Sequence, residues 1–106
     1  MILNTNDRQT QRLIDNGFPK PQTIVDWEQD SFDYVHEKYA YSIGELISFL
    51  PTEMEDYGKL QIDRVIPEVW TVGYDRDAHY EYSSINEELI TALVILCLKL
   101  KIEKII

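Results

Sequence analysis

Ser84-Ile85-Asn86-Glu87-Glu88-Leu89-Ile90-Thr91-Ala92-Leu93-Val94-Ile95-Leu96-Cys97-Leu98-Lys99-Leu100-Lys101 is the stretch on which the fold turns. Ser84 and Glu87 stand three apart, the spacing of a capping box, so the pattern predicts a helix beginning at Ser84. Between Leu89 and Leu98 the only polar side chain is Thr91. Glu87 and Glu88 fall at the positive end of the helix dipole, and Lys99, Lys101 and Lys104 at its negative end, each worth about 0.3 kcal/mol or more. Leu89, Leu93, Leu96 and Leu100 form a stripe at helical spacing, which Ile90, Val94, Cys97 and Leu98 widen past what one sheet face covers. Such a helix needs a sheet on one side. It also needs further cover, from a helix at Ser42 to Leu50 or from a second subunit.

The sheet is expected immediately upstream. Lys59 to Val65 begins with the strict polar and apolar alternation of a half-buried strand, and Glu68 to Asp75 resumes after Pro67, with Trp70, Val72 and Tyr74 on one face. Asp75-Arg76-Asp77-Ala78 reads as a turn and His79-Tyr80-Glu81-Tyr82 as a returning strand, giving an antiparallel meander. Gly73, inside a strand, marks a bulge or a close helix approach.

Toward the N-terminus, Asn6 and Gln9 predict a capped helix over Asp7 to Asn16, with Leu13 and Ile14 inward and Asn16-Gly17 as the left-handed exit. Phe18 closes over its end, and Phe18-Pro19-Lys20-Pro21 then keeps the chain extended. Thr23 to Trp27 and Phe32 to Val35, rich in β-branched and aromatic residues, are expected as two short strands, with a helix as the alternative over Gln22 to Tyr41. Ser42-Ile43-Gly44-Glu45 is a second capping box, opening a helix with Leu46, Ile47, Phe49 and Leu50 inward and Pro51 as its stop. Thr52 to Tyr57 reads as an acidic loop. The expected architecture is a single α+β domain over residues 1 to 106: a small antiparallel sheet of three to five strands packed on two or three helices, including the long C-terminal one.

A chain of 106 residues with 44% hydrophobic and 27% charged side chains can bury one core and is not composed like a disordered segment. Its net charge of −9 argues against direct binding to nucleic acid, which needs a basic face. Cys97 has no second cysteine to pair with and lies in the most apolar segment, which fits inert packing in a reducing cytoplasm. The start of the chain lacks the pattern of a secretory signal, and the Leu89 to Leu98 run spans only about half a bilayer, so no membrane association is expected.

The candidate chemical sites each meet a plainer reading. His36 has Asp33 and Glu37 nearby but no nucleophile, and His79 suits a solvated turn. Asp26, Glu28 and Asp30 alternate like the first ligands of a calcium loop, yet Ser31 stands where the loop needs glycine and Glu37 falls at the wrong count. Trp27, Trp70, Tyr74, Tyr80 and Tyr82 could build an aromatic platform, although Trp70 and Tyr74 suit a core better. No catalytic residue, metal ligand or cofactor site is therefore expected. Trp27, with Asp26, Glu28, Asp30 and Asp33 around it, is the candidate contact with a protein partner.

Gln11-Arg12-Leu13-Ile14-Asp15-Asn16-Gly17, Tyr41 to Pro51, Trp70-Thr71-Val72-Gly73-Tyr74 and Glu88 to Val94 together resemble a group of small uncharacterised proteins encoded by prophages and mobile elements of gut bacteria. The resemblance implies a compact fold of helices on a small antiparallel sheet and brings no functional residue with it. The expectation is a non-enzymatic protein-binding module whose partner is another protein or a second copy of the chain. The alternative is an acidic inhibitor that imitates nucleic acid and sits in the basic groove of an enzyme, with Glu53, Glu55 and Asp56 joining the acidic cluster. A small enzyme, the third class, would need a pocket gathering His36 or His79 with carboxylates.

Overall fold

The computed structural model describes residues 1–29, 35–74 and 82–106. Its elements follow in the order α1 (Asp7–Asp15), β1 (Thr23–Gln29), β2 (Val35–Ala40), α2 (Ile43–Phe49), β3 (Glu53–Met54), β4 (Gly58–Ile66), β5 (Val69–Tyr74), β6 (Tyr82–Asn86) and α3 (Leu89–Ile102). The fold is α+β: β3 to β6 form an antiparallel sheet in chain order, and β1 with β2 forms a separate two-stranded ribbon.

Two of the three expected capping boxes are present. Asn6 Oδ1 accepts from Gln9 N while Gln9 Oε1 accepts from Asn6 N, and the same reciprocal pair joins Ser42 and Glu45. Each satisfies two of the N–H groups that a helix start leaves over. Gly17, with φ +89°, makes the left-handed exit from α1.

In the larger sheet, Leu60 pairs with Tyr74, Ile62 with Val72 and Arg64 with Trp70; Val72 pairs in turn with Ser84 and Tyr74 with Tyr82. Directly opposed residues share a face, so Leu60, Ile62, Trp70, Val72, Tyr74 and Tyr82 line one side of the sheet, all of them in or against the core. That side carries α3. The expected stripe of Leu89, Leu93, Leu96 and Leu100 is buried, and so are Ile90, Val94, Cys97 and Leu98. The additional cover comes from this chain's own helices: α2 and α1 both contact α3 and bring Leu46, Leu50 and Leu13 into the same cluster.

The start of α3 differs from expectation. Ser84 belongs to β6, paired with Val72, and the helix begins at Leu89 with Glu88 as its N-cap and no side-chain cap bond. The Ser84 and Glu87 spacing suits a cap, but backbone pairing with β5 takes residues 82–86 into the sheet first. Asn86 Oδ1 then accepts from Glu88 N, turning the chain toward the helix. The Ser84 hydroxyl is still used, donating to the Ala92 carbonyl at 2.5 Å and tying strand to helix.

Other boundaries also shift. The second strand of the ribbon, expected over Phe32 to Val35, is described over Val35–Ala40; residues 32–34 lie outside the described residues. The expected loop from Thr52 to Tyr57 contains the short β3, which pairs with the start of β4. The returning strand is Tyr82–Asn86; residues 75–81, including the expected turn, His79 and Tyr80, lie outside the described residues. Gly73 does mark a close approach, but to a strand: a Cβ there would lie 2.5 Å from the Cα and Cβ of Ser83.

The N-terminal residues are tied to the middle of the chain. Thr5 N donates to the Tyr41 carbonyl at 2.9 Å, and Tyr41 N donates to Thr5 Oγ1 at 3.0 Å. The Tyr41 hydroxyl donates to the Pro19 carbonyl, and its ring meets Phe49 edge-on at 5.8 Å. The molecule is elongated, 58 × 32 × 18 Å, with a radius of gyration of 15.5 Å where a compact domain of this length has about 13 Å. Among the described residues, the ribbon is bonded to no strand of the larger sheet.

Candidate functional site

The expected contact residues fall on the ribbon. Asp26, Trp27 and Glu28 are consecutive β1 positions, paired with Lys38, Glu37 and His36 of β2. Asp30 and Asp33 lie outside the described residues. Past a register shift between Ile24 and Asp26, the strand through Asp26 and Glu28 pairs in step with β2, unlike a calcium loop, in which the backbone curls around the ion. Among the described residues no group of three or more His, Cys, Asp or Glu side chains is placed to hold a metal ion.

At the base of the ribbon, Glu45 joins α2 to β1. Its carboxylate accepts from Gln22 N at 3.0 Å, from Ser42 N at 3.2 Å and from the Thr23 hydroxyl. Partial burial pushes its pKa upward, but these hydrogen bonds outweigh that and hold the carboxyl below its ordinary value. The arrangement is structural, closing the joint between ribbon and helix.

Trp70 lies against the core, its ring faced by the Arg64 guanidinium at 5.5 Å. Tyr74 is fully buried and its hydroxyl donates to the Pro51 carbonyl, so these two aromatics serve packing. Cys97 is buried as expected; burial pushes its thiol up to about 12, which leaves it protonated and unreactive at neutral pH.

A concave surface among the described residues lies elsewhere, between α1 and α3. Gln9 Nε2 donates to Thr91 Oγ1 at 3.0 Å, and Gly17 sits against the Lys101 side chain, so α1 runs alongside α3 in the same direction. On the solvent side of this pair is a groove of about 570 Å³. Its floor is Val94, Ile95, Leu98 and Ile102, with Ile95 43% and Ile102 67% exposed. Arg12 of α1 flanks it on one side, and Lys99 and Glu103 of α3 on the other. A second hollow, of about 540 Å³, gathers Ile2, Arg64, Trp70, Glu87 and Glu88 at the start of α3. Neither contains a histidine among its described lining.

The groove was not singled out from sequence, although a signal existed. Thr91, Ile95, Leu98 and Ile102 follow one another at intervals of four, three and four, the spacing of a helical seam. In a helix apolar nearly all round, that seam cannot be told from the buried ones without knowing where the sheet lies.

Fold and surface together define a small α+β protein with an apolar two-helix groove and a projecting β-ribbon, in which no helix among the described residues is long and apolar enough to cross a membrane. Comparison of the chain with protein families, with curated proteins and with solved structures gives no match.

Proposed function

We propose that this chain is a non-enzymatic protein of a mobile element that works by binding another protein in a reducing cytoplasm. The observation that carries the reading is the open side of α3, where Ile95 and Ile102 lie in a groove bordered by charged side chains rather than under another element. Apolar surface gathered in a concave, polar-rimmed site is what a protein contact uses. The ribbon offers a second contact region, with Trp27, Asp26 and Glu28 on β1. A photo-crosslinking amino acid placed at position 27 or 95 of the full chain, in the cells that express it, tests the reading. Covalent adducts with another protein are expected from at least one position; none from either would overturn it.

The alternative, an acidic mimic of nucleic acid, draws support from the net charge of −9. Asp26 and Glu28 sit on the ribbon, while Glu53, Glu55 and Asp56 belong to the hairpin of β3 and β4. For this reading, replacing Asp26, Glu28, Asp30 and Asp33 by their amides would release a basic, nucleic-acid-binding partner, and substitution at Ile95 would not.

A further inference from the structure

We infer that Asn16 is a self-modifying site: the chain converts there to aspartate and isoaspartate with loss of ammonia, and the exit of α1 is the gate that holds the reaction off. This lies outside the protein-binding reading and stands whether or not that reading holds.

The sequence supplies the reactive pair. Of four asparagines, Asn16 alone is followed by glycine, whereas Asn4, Asn6 and Asn86 precede Thr5, Asp7 and Glu87. An asparagine side chain is attacked by the backbone nitrogen of the next residue, and a side chain on that residue crowds the approach. Glycine has none and turns freely. The Gly17 amide proton passes to hydroxide, the nitrogen bonds to Asn16 Cγ, and the Cγ–Nδ2 bond breaks, Nδ2 taking a proton from water and leaving as ammonia. Water then opens the resulting cyclic imide at one carbonyl or the other, giving aspartate or isoaspartate. Nothing is oxidised or reduced, and solvent water is the co-reactant.

The backbone holds this pair in an unreactive shape. Asn16 and Gly17 are both exposed, so water reaches them. Asn16 has ψ 11°, which places the Gly17 nitrogen next to Asn16's own nitrogen and away from Cβ, while ring closure needs it beside Cβ. The Gly17 N–H is engaged as well, donating to the Ile14 carbonyl at 3.0 Å, and Asn16 Nδ2 donates to the Arg12 carbonyl at 2.7 Å. Attacking nitrogen and leaving nitrogen are thus both tied to α1.

Phe18 fastens the gate. Its N–H donates to the Leu13 carbonyl at 3.1 Å, and its buried ring lies 5.3 Å from that of Phe49 and beneath the Lys101 ammonium. Asn16 reaches the reactive ψ only when Phe18 lifts and the last turn of α1 opens. The change is one-way. Isoaspartate carries the backbone through the former side chain, and the added carbon moves Gly17 and Phe18 off their carbonyl partners. Either product also sets a carboxylate beside Asp15 at the negative end of α1. An exit that has reacted therefore closes less well than before.

The test follows the full chain, folded and in urea, by peptide-mapping mass spectrometry with enzymatic detection of isoaspartate. In urea, Asn16 is expected to convert ahead of Asn4, Asn6 and Asn86. The folded chain should convert roughly tenfold or more slowly, in proportion to the time the exit stands open. Phe18→Ala should raise the folded rate toward the urea rate while leaving the Asn16-Gly17 pair intact. If that variant does not fold, the parent in urea below its unfolding midpoint takes its place, and the rate should rise in step with exchange of the Gly17 amide. Gly17→Ala, compared in urea where no φ is imposed, should slow the conversion. Equal rates in the folded and unfolded chain, or a folded rate that stays fixed as the Gly17 amide opens, would overturn the gate. Conversion of another asparagine as fast as Asn16 in urea would overturn the site.

Discussion

Gly73 and Glu45 show how single side chains hold this fold. At Gly73 the sheet has no room for a methyl group, because an added Cβ would meet backbone and side chain of Ser83 and the Tyr82 carbonyl oxygen at 2.5 Å. Neither obstacle is the free end of a side chain, so β5 and β6 must separate. Gly73→Ala is expected to destabilise by about 1 to 3 kcal/mol, read from the denaturant midpoint. A midpoint within error of the parent would mean that the strands yield easily. Glu45 acts through charge. Its folded pKa lies below the ordinary 4.5, so its contribution is complete above that value and is lost as pH falls through the lower folded value. Glu45→Gln is therefore expected to lower the denaturant midpoint at pH 7. The difference should vanish in acid below the folded value, and a gap that persists there would show that shape and not charge was lost.

At the scale of the element, α3 has two kinds of apolar residue. Leu93 lies in the core at 0% exposure, whereas Ile95 lines the groove at 43%. Leu93→Ala leaves a cavity in packed surroundings and is expected to cost about 2 to 5 kcal/mol. Ile95→Ser, at a site open to water, should cost under about 1 kcal/mol. Thermal or denaturant unfolding separates the two. Comparable losses would mean that the Ile95 face is covered, and the groove with it. Polar pairing across elements also steadies α3, through Gln9 to Thr91 and Ser84 to Ala92. These bonds align helix, sheet and α1 more narrowly than apolar contact alone, which is indifferent to small rotations.

For the whole molecule, the division between a packed body and a projecting ribbon governs dynamics. An isolated two-stranded ribbon is marginal in water, and the β1 and β2 pair gains support mainly at its base, from Glu45 on Thr23 and Gln22 and from Lys38 on Asp7 at 3.0 Å. Amide exchange is expected to be roughly a hundredfold faster in the ribbon than in β5, which has a bonded strand on each side. Equal protection would show that the ribbon opens only when the whole protein does.

Much of the architecture is legible one segment at a time, because local chemistry and global packing agree there. Both capping boxes, the Gly17 exit, the alternating strand from Lys59 and the inward set of α2 rest on interactions spanning only a few residues, and the fold leaves them undisturbed. Ser84 is the counterexample: its local pattern asks for a helix cap, but β5, ten or more residues upstream, offers backbone partners that draw it into a strand. The use of α3 is likewise settled from a distance. Its sequence is apolar nearly all round and states only that cover is needed. Which seam faces the sheet, which meets α1 and α2, and which stays open as Ile95 and Ile102 depends on where those elements stand, because burial belongs to the assembled surfaces and not to any residue alone.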